Sequence, residues 1–475
     1  MLSRRCRQKN EVTVPKIFSQ WNALPSGKDV VDMSSGENWM MRDEILEAFT
    51  APGTLDSLGE KSFSYPEGIG GPIETRTALA HLLNNRFNPG NLVLPSQIVL
   101  TAGGCEALDA LIEQICDPGD GVLVATPYWT GLDISISVQN EAYIAPVHIP
   151  RDLMTNPRCV DYYTHTLRSV NSTHPVKALL LCNPTNPTGE CHSLELLQAL
   201  LDFCEQEEIH FISDEVYALS VHGGSSSPLT PPGTPQLPNH SPQATTFVSA
   251  LSLNTASPNL HVIYSLSKDF GCNGIRLGAL ITQSSPSILL ATALNIGPQV
   301  SSITSHLATT TILNPSFYSN FLETSVSRLR GAYLYTSAFL TKHGIDFVPA
   351  TAGIFVLANL GENGTREGEV EVMEELKRER VKVIPAGAWG GIEGGWCRIV
   401  FAVKEKDLAE GLERIGRAVE ARRRQVKATI KGREGSLADG VVLNEEDSVQ
   451  NYGKRKRKWG MKKEIVREIE PQSLR

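Results

Sequence analysis

The chain has 475 residues, of which 41% are hydrophobic and 20% are charged, and its formal net charge is −8 at pH 7. This balance is ordinary for a globular protein, and the length favours a large domain joined to a smaller one. The charge does not favour nucleic-acid binding by the whole chain, and no apolar run is long enough to span a bilayer. Nine cysteines without CxxC pairs or metal-ligand spacing predict free thiols, no metal site and a cytoplasmic protein.

The first three quarters of the chain are typical of an α/β protein. Residues 1 to about 60 are predicted to form an arm with one short helix over 42–49. Apolar runs then alternate with helical patterns, and they occupy 121–127, 178–184, 209–215, 261–267 and 277–282. These runs lack polar alternation, which is typical of strands covered on both faces in a mostly parallel sheet. The stretch 193–207 has helical spacing, with Ser193 as its candidate N-cap.

A change of pattern after about residue 330 predicts a second, smaller α/β domain. Helices are expected over 326–342 and 368–380, and apolar segments occupy 354–360, 381–385 and 397–403. The expected organisation has four parts: an arm that belongs to the small domain (1–60), a large domain (61–325), a small C-terminal domain (326–420) and a charged, disordered tail (421–475).

Two segments are predicted to be additions to these domains. The stretch 223–243 is rich in Ser, Pro and Gly, which predicts a disordered surface insertion. The run KRKRK at 454–458 leaves nuclear import or binding to an anionic surface possible, and a solvated tail is the alternative.

Chemically suggestive residues follow the predicted strands, at the edge where open α/β sheets bind ligands. Gly103 and Gly104 lead into a helical pattern, which offers backbone N–H groups to an anion, although a plain turn has the same signature. Tyr128 and Trp129 follow the next run. An aromatic side chain there could stack on a planar cofactor, or simply pack in the core.

The next two strand ends carry an amide and a carboxylate. The loop CNPTNPTGE at 182–190 has two Asn-Pro steps that define its course and expose Asn186 as a donor. Asp214 ends a buried strand, and Tyr217 follows three residues later. A buried carboxylate needs a cationic partner, and a protonated ring nitrogen would serve.

The stretch SLSKDFGCNGIRLGA at 265–279 places a lysine directly after a buried strand. Partial desolvation lowers the pKa of the Lys268 amine and makes it a usable nucleophile. Ser265 and Arg276 flank it, and both could donate to a phosphate.

This ordered set of motifs resembles the class I/II aminotransferase family of fold-type-I enzymes that depend on pyridoxal 5'-phosphate (PLP), over roughly residues 30–420. The resemblance implies an α/β fold with a mostly parallel seven-stranded sheet in an α/β/α sandwich, a smaller α/β domain and PLP as cofactor. Within the family, SSGENWM at 34–40 and FSYPEGIGGPIETRTAL at 63–79 are most similar to the 1-aminocyclopropane-1-carboxylate (ACC) synthase-like subgroup. The sequence departs from that subgroup at Glu67–Gly68–Ile69 and at Asn273.

The resemblance implies a role for each matching residue. Lys268 would bind the cofactor covalently, Asp214 would hold its ring nitrogen charged, and Tyr217 would contact its phenolic oxygen. The other expected cofactor contacts are Asn186 at the phenolic oxygen, Trp129 stacked on the ring, and Gly104, Cys105, Ser265 and Arg276 at the phosphate.

The resemblance extends to the substrate and to a second subunit. Arg398 would clamp the substrate α-carboxylate, a bidentate task that suits a guanidinium, and Glu37 and Asn186 would also face the substrate. Tyr65 would reach the cofactor phosphate of a partner subunit, which implies a homodimer.

The motifs are shared by enzymes with different outcomes, so the reaction stays open. The first interpretation is an aminotransferase that moves an amino group from an amino acid to a 2-oxo acid, in secondary metabolism if the insertion and tail are fungal-type additions. The second is an ACC synthase-like or C–S lyase that performs β- or γ-elimination. A non-catalytic binding protein is the third, and the presence of all the motif residues argues against it.

Overall fold

The computed structural model describes residues 27–438, apart from Glu67, 224–245, Thr255, 298–299 and Asn363, together with a few positions nearer the N-terminus. The predicted insertion beyond Gly223, the basic run at 454–458 and the rest of the predicted tail from residue 439 lie outside the described residues. Residues up to Val419 form one compact unit, and the described residues after it, 420–438, are helical.

The strands, in chain order, are β1 Val31–Asp32, β2 Ile98–Thr101, β3 Gly121–Thr126, β4 Tyr128–Trp129, β5 Tyr143–His148, β6 Val176–Cys182, β7 His210–Asp214, β8 Leu260–Ser265, β9 Gly278–Ile281, β10 Phe347–Val348, β11 Phe355–Asn359, β12 Val381–Lys382, β13 Ile384–Pro385, β14 Trp389–Gly390 and β15 Trp396–Val400. The α-helices are α1 Arg42–Thr50, α2 Ile73–Arg86, α3 Gly104–Ile115, α4 Val160–Val170, α5 Leu194–Gln206, α6 Leu266–Asp269, α7 Pro286–Ile296, α8 Ser302–Thr310, α9 Pro315–Lys342, α10 Arg366–Arg378 and α11 Glu405–Ala438.

Seven strands form the central sheet in the order β2-β9-β8-β7-β6-β3-β5. The strand β9 runs antiparallel to both of its neighbours, and all the other pairings are parallel. The expected mostly parallel seven-stranded sheet is therefore confirmed. The two edge strands β2 and β5 lie outside the five apolar runs from which the sheet was predicted.

Both faces of this sheet are buried, which explains the unbroken apolar runs. In β6, Leu179 and Leu181 pack in the cluster that contains α2, α4 and α5. Ala178 and Leu180 point to the opposite face and pack in the cluster that contains α3 and α7. Alternate side chains of one strand thus reach two helical layers, as in an α/β/α sandwich.

A second sheet of four strands has the order β10-β11-β15-β13, and its pairings are antiparallel. It shares a hydrophobic cluster with α9, α10 and the first part of α11. The strand β1 of the N-terminal arm pairs in parallel with β12, and β12 comes directly before β13 of this sheet in the chain. Helix α9 begins eleven residues before the expected start at 326, because Asn314 accepts a hydrogen bond from Ser316 N and Pro315 opens the first turn. The expected boundaries between a large and a small domain stay a prediction.

Local signals set the ends of several other elements. The Ser193 side chain accepts a hydrogen bond from Leu196 N and caps α5, as the sequence predicts. The strands β3, β6, β7 and β8 end at the same edge of the sheet, beside the start of α3. No helix among the described residues is long and apolar enough to cross a membrane.

Candidate active site

A cavity of about 260 Å³ lies at the carboxyl ends of the parallel strands. It brings together most of the residues that the sequence singles out, and they line one continuous wall: Gly104, Cys105, Trp129, Asn186, Asp214, Tyr217, Ser265, Lys268, Arg276 and Arg398. Residues from six separate segments therefore meet at the edge of the sheet that the strand-end argument indicates.

Lys268 lies in α6, a single helical turn that starts directly after β8. The Ser265 side chain accepts a hydrogen bond from Ser267 N and ends the strand by capping this turn. The Lys268 Nζ donates to the carbonyl oxygen of Gly36 at 2.5 Å. Burial lowers the pKa of the Lys268 amine to about 8, and the nearby Arg398 guanidinium acts in the same direction. About one tenth of the amine is therefore neutral at pH 7, far more than for a lysine in water.

Asp214 is the last residue of β7, and its carboxylate faces the cavity. Its Oδ1 accepts a hydrogen bond from Val216 N at 3.3 Å. Burial raises the pKa of the Asp214 carboxyl to about 6, more than the Val216 N–H and the charge of Lys268 lower it. No described residue forms an ion pair with it, so the site has room for a cation at this carboxylate.

Tyr217 follows Asp214 on the same segment. Its ring is buried and meets the ring of Phe355 edge to face, with 5.3 Å between centroids. Burial raises the pKa of the Tyr217 phenol, so its O–H remains a hydrogen-bond donor to the cavity.

Another part of the cavity wall is built for an anion. Helix α3 starts after Gly103, whose φ of 100° suits glycine, and no side chain caps its first N–H groups. A Cβ on Gly103 would lie 2.2 Å from Arg276 Nη2, so only glycine lets the guanidinium approach the helix start. Arg276 donates to the carbonyl of Ala102 at 2.6 Å and to that of Asn273 at 2.9 Å. The first N–H groups of α3, the Arg276 guanidinium and the hydroxyls of Ser265 and Ser267 can together hold a phosphate.

Arg398, in β15, is 5% exposed and packs against two aromatic rings. Its guanidinium carbon is 5.0 Å from the ring centroids of Phe355 and Trp389. Its Nη1 donates to Asn186 Oδ1 at 3.1 Å and its Nη2 to the carbonyl of Ser34 at 2.8 Å. Its Nε is buried without a hydrogen-bond partner among the described residues, so Arg398 retains a donor for a carboxylate.

Trp129 lies at the rim of the cavity and is 42% exposed. Its ring lies across Gly131, where a Cβ would come within 2.1 Å of the indole. The short strands β4 and β14 pair Trp129 with Trp389, so the rim of the cavity is joined to the ring that packs on Arg398.

Two of the expected site residues do not line the cavity. Glu37 forms an ion pair with Arg42, with 2.8 Å between Oε2 and Nη2. Tyr65 is 86% exposed. Their contacts with substrate and with a partner subunit stay predictions.

Sequence reasoning missed other groups in and around the cavity. The carbonyls of Ser34 and Gly36 hold Arg398 and Lys268, but a backbone carbonyl leaves no residue-type signal. Trp389 and the buried His192 also escaped notice, because single aromatic or histidine residues in a sequence are usually core residues.

The residues present fit PLP as their ligand. An amine with a lowered pKa suits its aldehyde, a carboxylate open to the cavity suits its protonated ring nitrogen, and the glycine–arginine end suits its phosphate. The donor set thus offers one partner for each reactive or charged group of that molecule.

Known proteins resemble this chain over most of its length. The family model described as Aminotransferase class I and II matches residues 28–415. The probable aminotransferase sirI of Leptosphaeria maculans is 38% identical over 426 residues, which cover 88% of this chain and 98% of that protein. The probable aminotransferase tcpI of Claviceps purpurea is 39% identical over 422 residues, covering 87% and 95%.

More distant similarity extends to a second activity and to solved structures. The 1-aminocyclopropane-1-carboxylate synthase 7 of Arabidopsis thaliana is 30% identical over 415 residues, covering 84% of this chain and 89% of that protein. Aspartate aminotransferase from Thermus thermophilus with maleate has a TM-score of 0.67 at 22% identity, covering 88% of this chain and 99% of that one. This structural likeness supports the fold.

Proposed function

Because the chain belongs to the class I and II aminotransferase family, whose members depend on PLP, we propose that it transfers the amino group of an amino acid to a 2-oxo acid. The observation that carries the proposal is the shared cavity of Lys268, Asp214 and Arg398. These residues supply a nucleophilic amine, a partner for the ring nitrogen and a partner for the substrate carboxylate.

When bound, PLP supplies an electron sink for the carbanion formed at the substrate α-carbon. In this proposal Lys268 would hold the cofactor aldehyde before substrate binds, and its amine would be the base that takes the α-proton. Its lowered pKa suits both tasks, because each needs the neutral amine. Asp214 would hold the cofactor's protonated ring nitrogen, and the resulting ion pair would offset the cost of burying the carboxylate.

Recognition of the substrate is assigned to Arg398, with Asn186 beside it. The two rings that pack on the guanidinium exclude water and fix its plane, which favours a bidentate hydrogen bond to a carboxylate. Glu37 is assigned to the same end of the cavity through its neighbour Gly36, whose carbonyl contacts Lys268.

The other cofactor contacts in the proposal follow the geometry of the anion end. The first N–H groups of α3, at Gly104 and Cys105, would bind the phosphate together with Ser265 and Arg276. Trp129 would cover the outer face of the ring.

Elimination is the second candidate function. It is favoured by the similarity to ACC synthase 7 and by the position of Gly36, which places the segment SSGENWM against the catalytic lysine. Transamination has the stronger support, because the relatives with 38% and 39% identity are named probable aminotransferases.

A single assay separates the two. The purified protein, loaded with PLP, is incubated with amino acids in the presence and absence of 2-oxo acids, with Lys268→Ala as the control. Amino-group exchange supports the proposal, whereas release of ammonia, or of a thiol, without exchange supports elimination. Failure of borohydride to fix PLP on Lys268 would overturn both.

We also propose a homodimer in which Tyr65 completes the partner's phosphate site. Tyr65 and its neighbours Phe63 and Ile69 are 86%, 73% and 54% exposed, which is an unusual density of large apolar groups on a free surface. Light scattering measures the mass in solution, and Tyr65→Phe should weaken PLP binding without changing that mass. A monomer with full affinity for PLP would contradict this assignment.

A further inference from the structure

The cavity wall includes residues that the proposed function does not use. Five of them are Ile149, Met154, Tyr163, Leu181 and His192, which line the same cavity as Lys268 and Asp214. Four of the five are core-type side chains, so the histidine is the exception that needs an explanation.

His192 is 2% exposed, and neither of its ring nitrogens has a hydrogen-bond partner among the described residues. Burial lowers the pKa of the imidazole to about 4, so the ring is neutral and presents one N–H donor and one acceptor. Buried polar groups are nearly always hydrogen-bonded, because leaving them unpaired is costly. The ring therefore needs a partner within the cavity.

The backbone of His192 is linked to the strand that carries Asp214. Asn183 N donates to the carbonyl oxygen of Asp214 at 2.9 Å, and His192 N donates to Asn183 Oδ1 at 3.1 Å. Cys182, the last residue of β6, pairs directly with Asp214 of β7. Two short links thus join the histidine to the carboxylate-bearing strand.

Asp214 has spare capacity for a donor from this side. A carboxylate has about four acceptor positions. The Val216 N–H uses one of them, at the long distance of 3.3 Å, and a cofactor ring nitrogen would use another. A donor without an acceptor and an acceptor short of donors therefore line one cavity.

We propose that His192 is a positioning residue for the aminotransferase reaction: its imidazole N–H donates, through a bridging water, to the Asp214 carboxylate and keeps it ionised for the ring nitrogen. A donor to the charged form favours that form. The hydroxyls of Thr185 and Thr188 line the same cavity, so a bridging water would have further polar partners. This inference rests on the proposed function.

The test compares His192→Leu with His222→Leu. His222 is equally buried at 2%, packs 4.9 Å from the ring of Tyr333 and 5.5 Å from that of Phe401, and lies outside the cavity wall. We expect His192→Leu to weaken PLP binding to the apoprotein by about ten-fold, the loss of one hydrogen bond to a charged group. The variant His222→Leu should leave the affinity unchanged.

A second readout needs no cofactor. Infrared spectroscopy of the apoprotein follows protonation of the Asp214 carboxyl, with Asp214→Asn used to identify its band. His192→Leu should raise the pH midpoint of that band, and His222→Leu should not. The other titratable groups around Asp214, which are the same in both variants, are Cys105, Cys182, Glu215, Tyr217 and Lys268.

His192→Gln keeps an N–H donor in a similar volume and should restore most of the affinity and the midpoint. The inference is wrong if His192→Leu matches the wild type in both readouts, or if His192→Gln loses as much as His192→Leu. Borohydride trapping on wild-type Lys268 tests the proposed function separately. If trapping fails, that function fails, while the infrared midpoint still decides the contact between His192 and Asp214.

Discussion

The Lys268 end and the Asp214 end of the cavity respond to burial in the same way but with opposite consequences. Burial lowers the pKa of the amine to about 8 and raises the pKa of the carboxyl to about 6, so both groups shift toward their neutral forms. The neutral amine is the reactive form of lysine. The neutral carboxylic acid cannot form an ion pair with a protonated ring nitrogen.

The fold alone therefore favours the reactive form of Lys268, but it does not favour the charged form of Asp214. Burial lowers the pKa of the Lys268 amine, and the carbonyl of Gly36 accepts its hydrogen bond, so no ligand is required. The aspartate needs a cation or further donors to remain charged, because its own hydrogen bond is long. We therefore expect changes at the lysine end to affect covalent attachment, and changes at the aspartate end to affect the electronics of the bound ring.

The largest effect is expected from Lys268→Ala. Without the amine the cofactor has no covalent attachment and the α-proton has no base, so the turnover rate should fall by at least about 10²–10⁴-fold. Mass spectrometry after borohydride reduction measures attachment. Lys268→Arg, which keeps the charge but is never a neutral amine, should be equally inactive. Cofactor fixed at another residue of the Lys268→Ala variant would contradict the assignment.

Asp214→Asn should separate the two ends. The amide cannot pair with a protonated ring nitrogen, so the turnover rate should fall by roughly 10²-fold, while attachment at Lys268 persists. Glu215→Gln is the matched control, because Glu215 is buried next to Asp214 and is held by Ser213, Ser249 and Ala250. The control should lose thermal stability but keep its turnover rate. Equal losses of turnover in both variants would argue against a special role for Asp214.

The pH dependence of cofactor capture sharpens the comparison further. The pKa of the Lys268 amine is about 8, so below pH 8 the neutral fraction of the amine falls as the pH is lowered. The capture rate of PLP by the apoprotein should therefore rise about ten-fold per pH unit below that value, and level off above it. Stopped-flow absorbance measures this rate. A rate that is constant across this range would show that the amine is not the titrating group.

The smallest effect is expected from Gly36→Ala. A Cβ on Gly36 would lie 3.3 Å from Lys268 Nζ, so the lysine side chain must move by a few tenths of an ångström. Capture of PLP should slow by about two- to five-fold, a cost of less than about 1 kcal/mol. Gly59→Ala, where a Cβ would meet nothing within 4 Å, is the control and should behave like the wild type. A faster Gly36→Ala variant would mean that the Gly36 contact restrains the amine.

The site residues that the sequence could predict are those that directly follow the strands of the sheet. The runs that end near Asp214 and Lys268 are apolar on both faces, which indicates buried parallel strands and places their next residues at one edge. The arrangement of Gly104, Asn186 and Arg276 around one cavity follows from the same rule. Sequence order was therefore enough to group side chains that are far apart in the chain.

The missing parts depend on contacts that no local pattern encodes. The carbonyl of Gly36 meets Lys268 across 232 residues of sequence, and the edge strand β5 has polar ends that weaken its apolar signal. The lone His192 is buried by tertiary packing, and its residue type alone does not distinguish a core histidine from one in a cavity. The antiparallel direction of β9 is likewise set by the path of the chain after Arg276.

The ladder between β4 and β14 makes two of the six tryptophans of the chain neighbours across strands. One indole borders the space assigned to the cofactor, and the other packs on the arginine assigned to the substrate. Loading of the ring and arrival of the carboxylate should consequently each alter the fluorescence of the same pair. The protein thus carries an intrinsic optical probe with which both binding events can be timed without a label.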